Sequence, residues 1–228
     1  MRRMDGKVSV GETLRETFAI YRRQARILLP LAVGLFLVVA VVNHVVPMGF
    51  AAFVIPMIFG TFVETLYQGM VVGLVRDARA GRRDSSVREL VGSVLPVLGP
   101  LFGAGILAGL GIGLGFALLA VPGLYLMTIW AVIAPVIVVE DRDVMDAFGR
   151  SRALVSGNGW RVFVVIVLIV GLITFVLGLG LILLVHQISD NVLVTIAVST
   201  LSQTITAPIE ALVASVLYFR LVELKQQA

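Results

Sequence analysis

An all-α polytopic membrane bundle is the fold class this sequence predicts, with six transmembrane helices and three interfacial amphipathic helices. Three observations lead there. Of 228 residues, 59% are hydrophobic and 14% charged, with a mean hydropathy of +1.03; soluble domains run about 45–50% apolar and about 25% charged. Six apolar runs each reach the roughly 20 residues that a helix needs to cross the hydrocarbon layer. Finally, every Lys and Arg falls on one alternate set of connections, as expected where cations are retained on the cytoplasmic side. The same composition excludes other classes. With no cysteine there is no disulfide, thiolate metal site or cysteine nucleophile. A net charge of +4 does not supply the basic stripe that nucleic acid requires, so no nucleic-acid partner is expected.

The chain opens on a polar segment in which Ser9-Val10-Gly11-Glu12 forms a capping box, a hydroxyl and an acid placed to satisfy the free N–H groups of a first helical turn. Leu14, Phe18, Tyr21 and Ala25 then recur at helical spacing, with arginines over much of the remaining surface. Such a helix suits the membrane interface, apolar face inward and arginines near anionic headgroups. Spans are predicted at 27–46 and 50–75. The first is too long, and too far from the N-terminus, for a cleaved signal, and reads as an uncleaved anchor. A second box, Ser86-Val87-Arg88-Glu89, precedes spans at 93–119 and 122–139, with the turn between them placed at Pro122-Gly123. A weaker acidic variant, Asp143-Val144-Met145-Asp146, opens a helix bearing Val144, Phe148, Ser151 and Val155 on one face. Spans at 162–185 and 192–219 follow. The run from Arg161 to Val185 shows none of the apolar and polar alternation of a barrel strand. The chain is thus one integral membrane domain, 1–228, of three units (9–80, 86–140 and 143–225), each a surface helix and a hairpin, which suggests a pseudo-threefold bundle.

Charge placement fixes the expected orientation. Seven cations precede the first span: Arg2, Arg3, Lys7, Arg15, Arg22, Arg23 and Arg26. Arg76, Arg79, Arg82, Arg83 and Arg88 lie between the second and third spans, and Arg142, Arg150, Arg152 and Arg161 between the fourth and fifth. Arg220 and Lys225 follow the sixth. The opposite connections, near Asn43, Pro122 and His186 to Asn191, carry none. Both termini are therefore expected on the cytoplasmic face. Span 3 is dense in glycine, with the small-xxx-small pairs Gly99/Gly103, Gly105/Gly109, Gly109/Gly113 and Gly111/Gly115, and span 2 adds Gly69/Gly73. These allow helix backbones to approach closely. A dinucleotide fingerprint in the same glycines lacks its strand and its downstream acid, and no cofactor is expected.

Two acids fall away from the loops. Glu64 lies 12 residues before Arg76 and Glu210 lies 10 before Arg220, or roughly 15–18 Å of helix, which puts both near the bilayer midplane. Thr61 and Gln68 share a helix face with Glu64; Ser199, Gln203 and Thr206 share one with Glu210. Polar stripes of this kind turn inward, away from lipid. Pro56 and Pro208 stand ready to kink the spans and free carbonyls toward the interior. With no Lys or Arg at that depth, a protonated or cation-bound state of one or both carboxyls is expected. Catalysis is not: His44 and His186 lack metal-ligand spacing, and the surface segments hold no His for a Ser-His-Asp set. The run Glu140-Asp141-Arg142-Asp143 carries an arginine within it and is better read as a helix cap than as a metal site.

With these residues in hand, the chain resembles the membrane domain that accompanies some bacterial glycerophosphoryl diester phosphodiesterases. The likeness rests on Pro122-Gly123 with Tyr125, the span ending at Glu140, then Ala147, Arg150-Ser151, Leu154, Gly157, Trp160-Arg161 and Phe163. Leu14, Phe18 and Tyr21-Arg22-Arg23 resemble the family's N-terminal surface helix, while Leu217-Tyr218-Phe219-Arg220 departs from its ending by lacking an acid between aromatic and arginine. The hydrolase of such fusions is a separate soluble barrel, none of which is in this sequence. What the resemblance implies is a non-catalytic accessory or scaffold in a prokaryotic plasma (inner) membrane, partnered by the bilayer and by a membrane or soluble protein. Arg22, Arg23, Arg150, Ser151, Trp160 and Arg161 are expected to meet anionic headgroups or the interface. The other reading is a small proton- or cation-coupled transporter using Glu64, Gln68, Gln203, Thr206 and Glu210, which requires a polar-lined cavity reaching both carboxyls.

Overall fold

The computed structural model describes residues 7–46, 50–81, 86–188 and 191–227. Among these the chain is all-α, with six helical stretches long and apolar enough to cross a membrane. It is a multi-pass, membrane-embedded helical bundle. Helix α1 (Val10–Val45) is followed by α2 (Phe50–Arg79), α3 (Val87–Val94), a 3-10 turn (Leu95–Val97) and α4 (Leu98–Leu118). Then come α5 (Ala120–Ile129), α6 (Ile133–Glu140), α7 (Val144–Val155) and α8 (Gly159–Phe163). A π-helical stretch (Val164–Val170), α9 (Gly171–Ile188) and α10 (Val192–Gln226) complete the chain.

The first predicted surface helix is not a separate element. It runs without a break into the first span as the 36-residue α1, through Pro30. Thr13 and Thr17 explain why: both are fully buried, and each hydroxyl donates to the carbonyl four residues back. The polar end of α1 is therefore a packing surface, and α1 lies against α10 more extensively than any other helix pair. Ser9 is the N-cap, but its side chain makes no capping bond; Glu12 reaches Arg220 on α10 instead, at 3.1 Å. The second box forms in full, with Ser86 N–H donating to Glu89 Oε2 at 2.9 Å and Glu89 N–H to Ser86 Oγ at 3.3 Å. Asp143 caps α7 by position only.

The hairpin between the third and fourth spans turns at Leu119, one extended residue, and not at Pro122-Gly123. Pro122 sits in the first turn of α5, where its missing N–H has no intrahelical partner to lose. Gly123 serves close approach: a Cβ on the facing Gly115 would stand 2.9 Å from the Gly123 backbone. The fourth span is broken at Trp130–Val132, because Pro135 at the third position of α6 cannot donate to the Ala131 carbonyl. Buried Ser151 takes up the loose end, its Oγ donating to the Ile129 carbonyl at 2.8 Å.

Three clusters lock the arginine-bearing end. Arg79 pairs with Glu16, and with Glu223 at 2.7 Å, and lies over the Phe219 ring. Arg220 bonds Glu16 and Glu12 at 2.9 and 3.1 Å, so α1, α2 and α10 meet in one ion-pair network. Glu140 accepts from Arg142, Arg150 and the Tyr218 hydroxyl, at 2.8, 3.0 and 3.1 Å, joining α6, α7 and α10. Val8 is held at both backbone groups: its N–H donates to Asn158 Oδ1 and its carbonyl accepts from Arg161, both at 2.9 Å.

Candidate functional site

Two carboxyls from opposite ends of the sequence face one space. Glu64 of α2 and Glu210 of α10 both line an open cavity of about 390 Å3 whose walls come from α2, α4, α5, α6, the π-helical stretch and α10. The sequence dictates the space: Ala104, Gly105, Ala108 and Gly109 give α4 a face of small side chains toward it. Gly105 also sets the distance to α2, since a Cβ there would stand 2.7 Å from Thr65 Cγ2. At Gly109 a Cβ would meet nothing within 4 Å, so that glycine is part of the wall. The span 3 glycines thus divide their roles. Gly105, Gly111 and Gly115 permit contact, while Gly99, Gly109 and Gly113 face open space.

The polar side of the cavity is carried by α2. Thr61, Glu64, Thr65 and Gln68 recur at helical spacing along it. The Thr61 hydroxyl donates to the Met57 carbonyl and that of Thr65 to the Thr61 carbonyl, at 2.8 and 2.9 Å; their oxygens retain lone pairs but their protons are spent. Glu64 is exposed to the cavity, and Gln68 and Glu210 are half-buried. Among the described residues the lining holds no Lys, Arg or His. Its remainder is apolar, with Leu101, Ile112, Met127, Ile133 and Ile166 and the ring of Trp130. That ring is fixed by Gly111, which leaves it room, and by Phe148, whose ring meets it edge-on at 4.8 Å.

The polar stripe predicted on α10 does not continue into this space. Gln203 and Ser199 are exposed, and Thr206, although buried, donates its hydroxyl to the Ser202 carbonyl at 3.1 Å. Seven residues carry Gln203 roughly 10 Å along the axis from Glu210, and Ser199, Gln203 and Thr206 are not among the residues that line the cavity. Pro56 and Pro208 lie within continuous helices rather than at breaks; the broken span is the fourth. Thr65 and Trp130 were not identified as candidates from sequence. Thr65 lies one residue off the face counted from Glu64, and only the break at Pro135 brings Trp130 inward.

The expected headgroup residues separate into two groups. Arg22 and Arg23 are exposed on α1, and Trp160 is 74% exposed and stacked on Phe163. Ser151 is fully buried on the Ile129 carbonyl and cannot reach a headgroup. Arg150 is turned to Glu140 and Arg161 to Val8, so both close the fold. Of the acidic run, Glu140 is taken up by Arg142, Arg150 and Tyr218. Comparison of the chain with models of protein families, with curated proteins and with solved structures finds no match.

Proposed function

We propose that this protein is a small proton- or cation-coupled transporter of a prokaryotic plasma membrane, with both termini cytoplasmic and Glu64 and Glu210 as its ion-binding pair. The observation that carries the reading is the shared cavity: two carboxyls on separate helices, with polar company and no basic residue in the described lining. Two carboxylates sharing one cavity at bilayer depth repel, and a proton or cation between them relieves the repulsion. Gln68 and the threonine oxygens supply neutral ligands beside them. In reconstituted vesicles the expected result is ion-driven solute flux or proton leak, reduced at least tenfold by Glu64→Gln and by Glu210→Gln. Flux equal to the unaltered protein in both variants would remove the reading's support.

A second reading is the accessory one: a non-catalytic scaffold or lipid-proximal partner resembling the membrane domain of glycerophosphoryl diester phosphodiesterases. The observation favouring it is an apolar groove along Val121, Leu124, Tyr125 and Phe163, flanked by exposed Trp160. These positions include part of the motif on which the resemblance rests. Capture from mild detergent would recover a stoichiometric partner if this reading holds, and Trp160→Ala would lose it.

A further inference from the structure

The geometry points to an organic cation as the ligand of this cavity: a protonated amine or quaternary ammonium whose charge lies between Glu64 and Glu210 and whose hydrocarbon body packs on Trp130, Ile112 and Ile166. The inference rests on the reading of the pair as a cation site and narrows that site to a class. Size is the first discriminant. A cavity of about 390 Å3 falls within the roughly 300–1,000 Å3 of small-molecule sites, whereas one water takes about 30 Å3. A bare metal ion would leave most of the space unfilled.

Ligation is the second. A hard cation takes about six to eight oxygens in a close shell. Here as many as seven oxygens are present, four on the two carboxyls, one on an amide and two on hydroxyls, but all except those of Glu210 are strung along roughly 10 Å of α2 rather than gathered in one shell. No group of three or more His, Cys, Asp or Glu gathers among the described residues. An inorganic ion would have to keep much of its water in a space whose other walls are Leu101, Ile112, Met127, Ile133 and Ile166. An organic cation has no such requirement. A quaternary ammonium is weakly hydrated and a protonated amine can donate its N–H groups directly to the carboxyls; in either the body gains from apolar contact, and an aromatic ring attracts the charge electrostatically. Trp130 supplies that ring, pinned between Gly111 and Phe148.

The chain has two tryptophans, and Trp160 lies on the surface, so Trp160→Phe leaves Trp130 as the sole indole reporter in the cavity. Purified Trp160→Phe protein in mild detergent is titrated with tetraethylammonium chloride at constant ionic strength, and in separate arms with sodium chloride and with acid. The unaltered chain is followed in parallel by thermal shift. Expected is a saturable change in Trp130 emission and a rise in Tm with tetraethylammonium, with apparent affinity at least tenfold weaker in Glu64→Gln and Glu210→Gln. Response to sodium or acid without response to tetraethylammonium would overturn the organic-cation assignment and leave the ion-binding pair standing. An equal tetraethylammonium response in both carboxyl variants would show partition into detergent and overturn the assignment. Silence in all three arms, from protein that still melts cooperatively, would overturn both.

Discussion

At the scale of the residue, three positions near the cavity separate packing from function. Gly109→Leu introduces a side chain where a Cβ meets nothing within 4 Å, so it starts into open space and fills part of the cavity. It is expected to leave Tm within a few degrees of the unaltered protein while abolishing tetraethylammonium binding and flux. Gly105→Leu, one helical turn earlier, drives a Cβ to 2.7 Å from Thr65 Cγ2 and must push α4 off α2. Overpacking of this kind costs about 1–3 kcal/mol, so this variant is expected to melt lower, read by thermal denaturation in detergent. If Gly109→Leu destabilises as much as Gly105→Leu, the open wall at Gly109 is misplaced. Ser151→Ala strands the Ile129 carbonyl in a buried setting, at a cost of about 1–3 kcal/mol, whereas Ser151→Thr can keep the bond. The sequence spacing revealed Glu64, Thr61 and Gln68 because they share one helix. It could not reveal Ser151's role, since its partner lies 22 residues away at a break that no periodicity marks.

At the scale of the element, the spans were legible because each is a long apolar run, and their interruptions were not. Nothing in the uniform Val, Ile and Leu run of residues 164–170 distinguishes a π-helical stretch from an α-helix. The hairpin at Leu119 escaped notice because Pro122-Gly123 is the stronger local turn signal, although Pro is equally at home in the first turn of a helix. The continuity of α1 is the more instructive case. Its arginines and its cap suggested a surface helix, but Glu12 and Glu16 are partners for Arg220 and Arg79, and that pairing could not be read from one helix alone. A double-mutant cycle with Glu16→Gln and Arg220→Gln measures its contribution. Arg220 and Glu16 are 19% and 28% exposed, so the coupling is expected at about 0.5–1 kcal/mol and should fall as salt is raised. A coupling near zero at low salt would mean that packing of α1 along α10 holds the helices unaided.

At the scale of the whole molecule, orientation sets which aqueous phase meets the arginine clusters and the ion-pair network. All 18 Lys and Arg lie on alternate connections or at the two termini, and cations near span ends are retained in the cytoplasm. The structure agrees with a common side for the two terminal helices, since Glu12 and Glu16 near the start of α1 meet Arg220 near the end of α10. The chain has no cysteine, so single cysteines report position without background. His44 lies exposed at the far end of α1, and Arg88 lies exposed in α3 on the arginine-bearing side. In intact cells an impermeant maleimide is expected to label His44→Cys, and to label Arg88→Cys only after the cells are broken. The reverse pattern would invert the protein and place its whole cationic inventory outside. Labelling of both positions in intact cells would mean that α2, the one span between them, does not cross. The six-span bundle would then have to give way to one in which α2 re-enters from the same face.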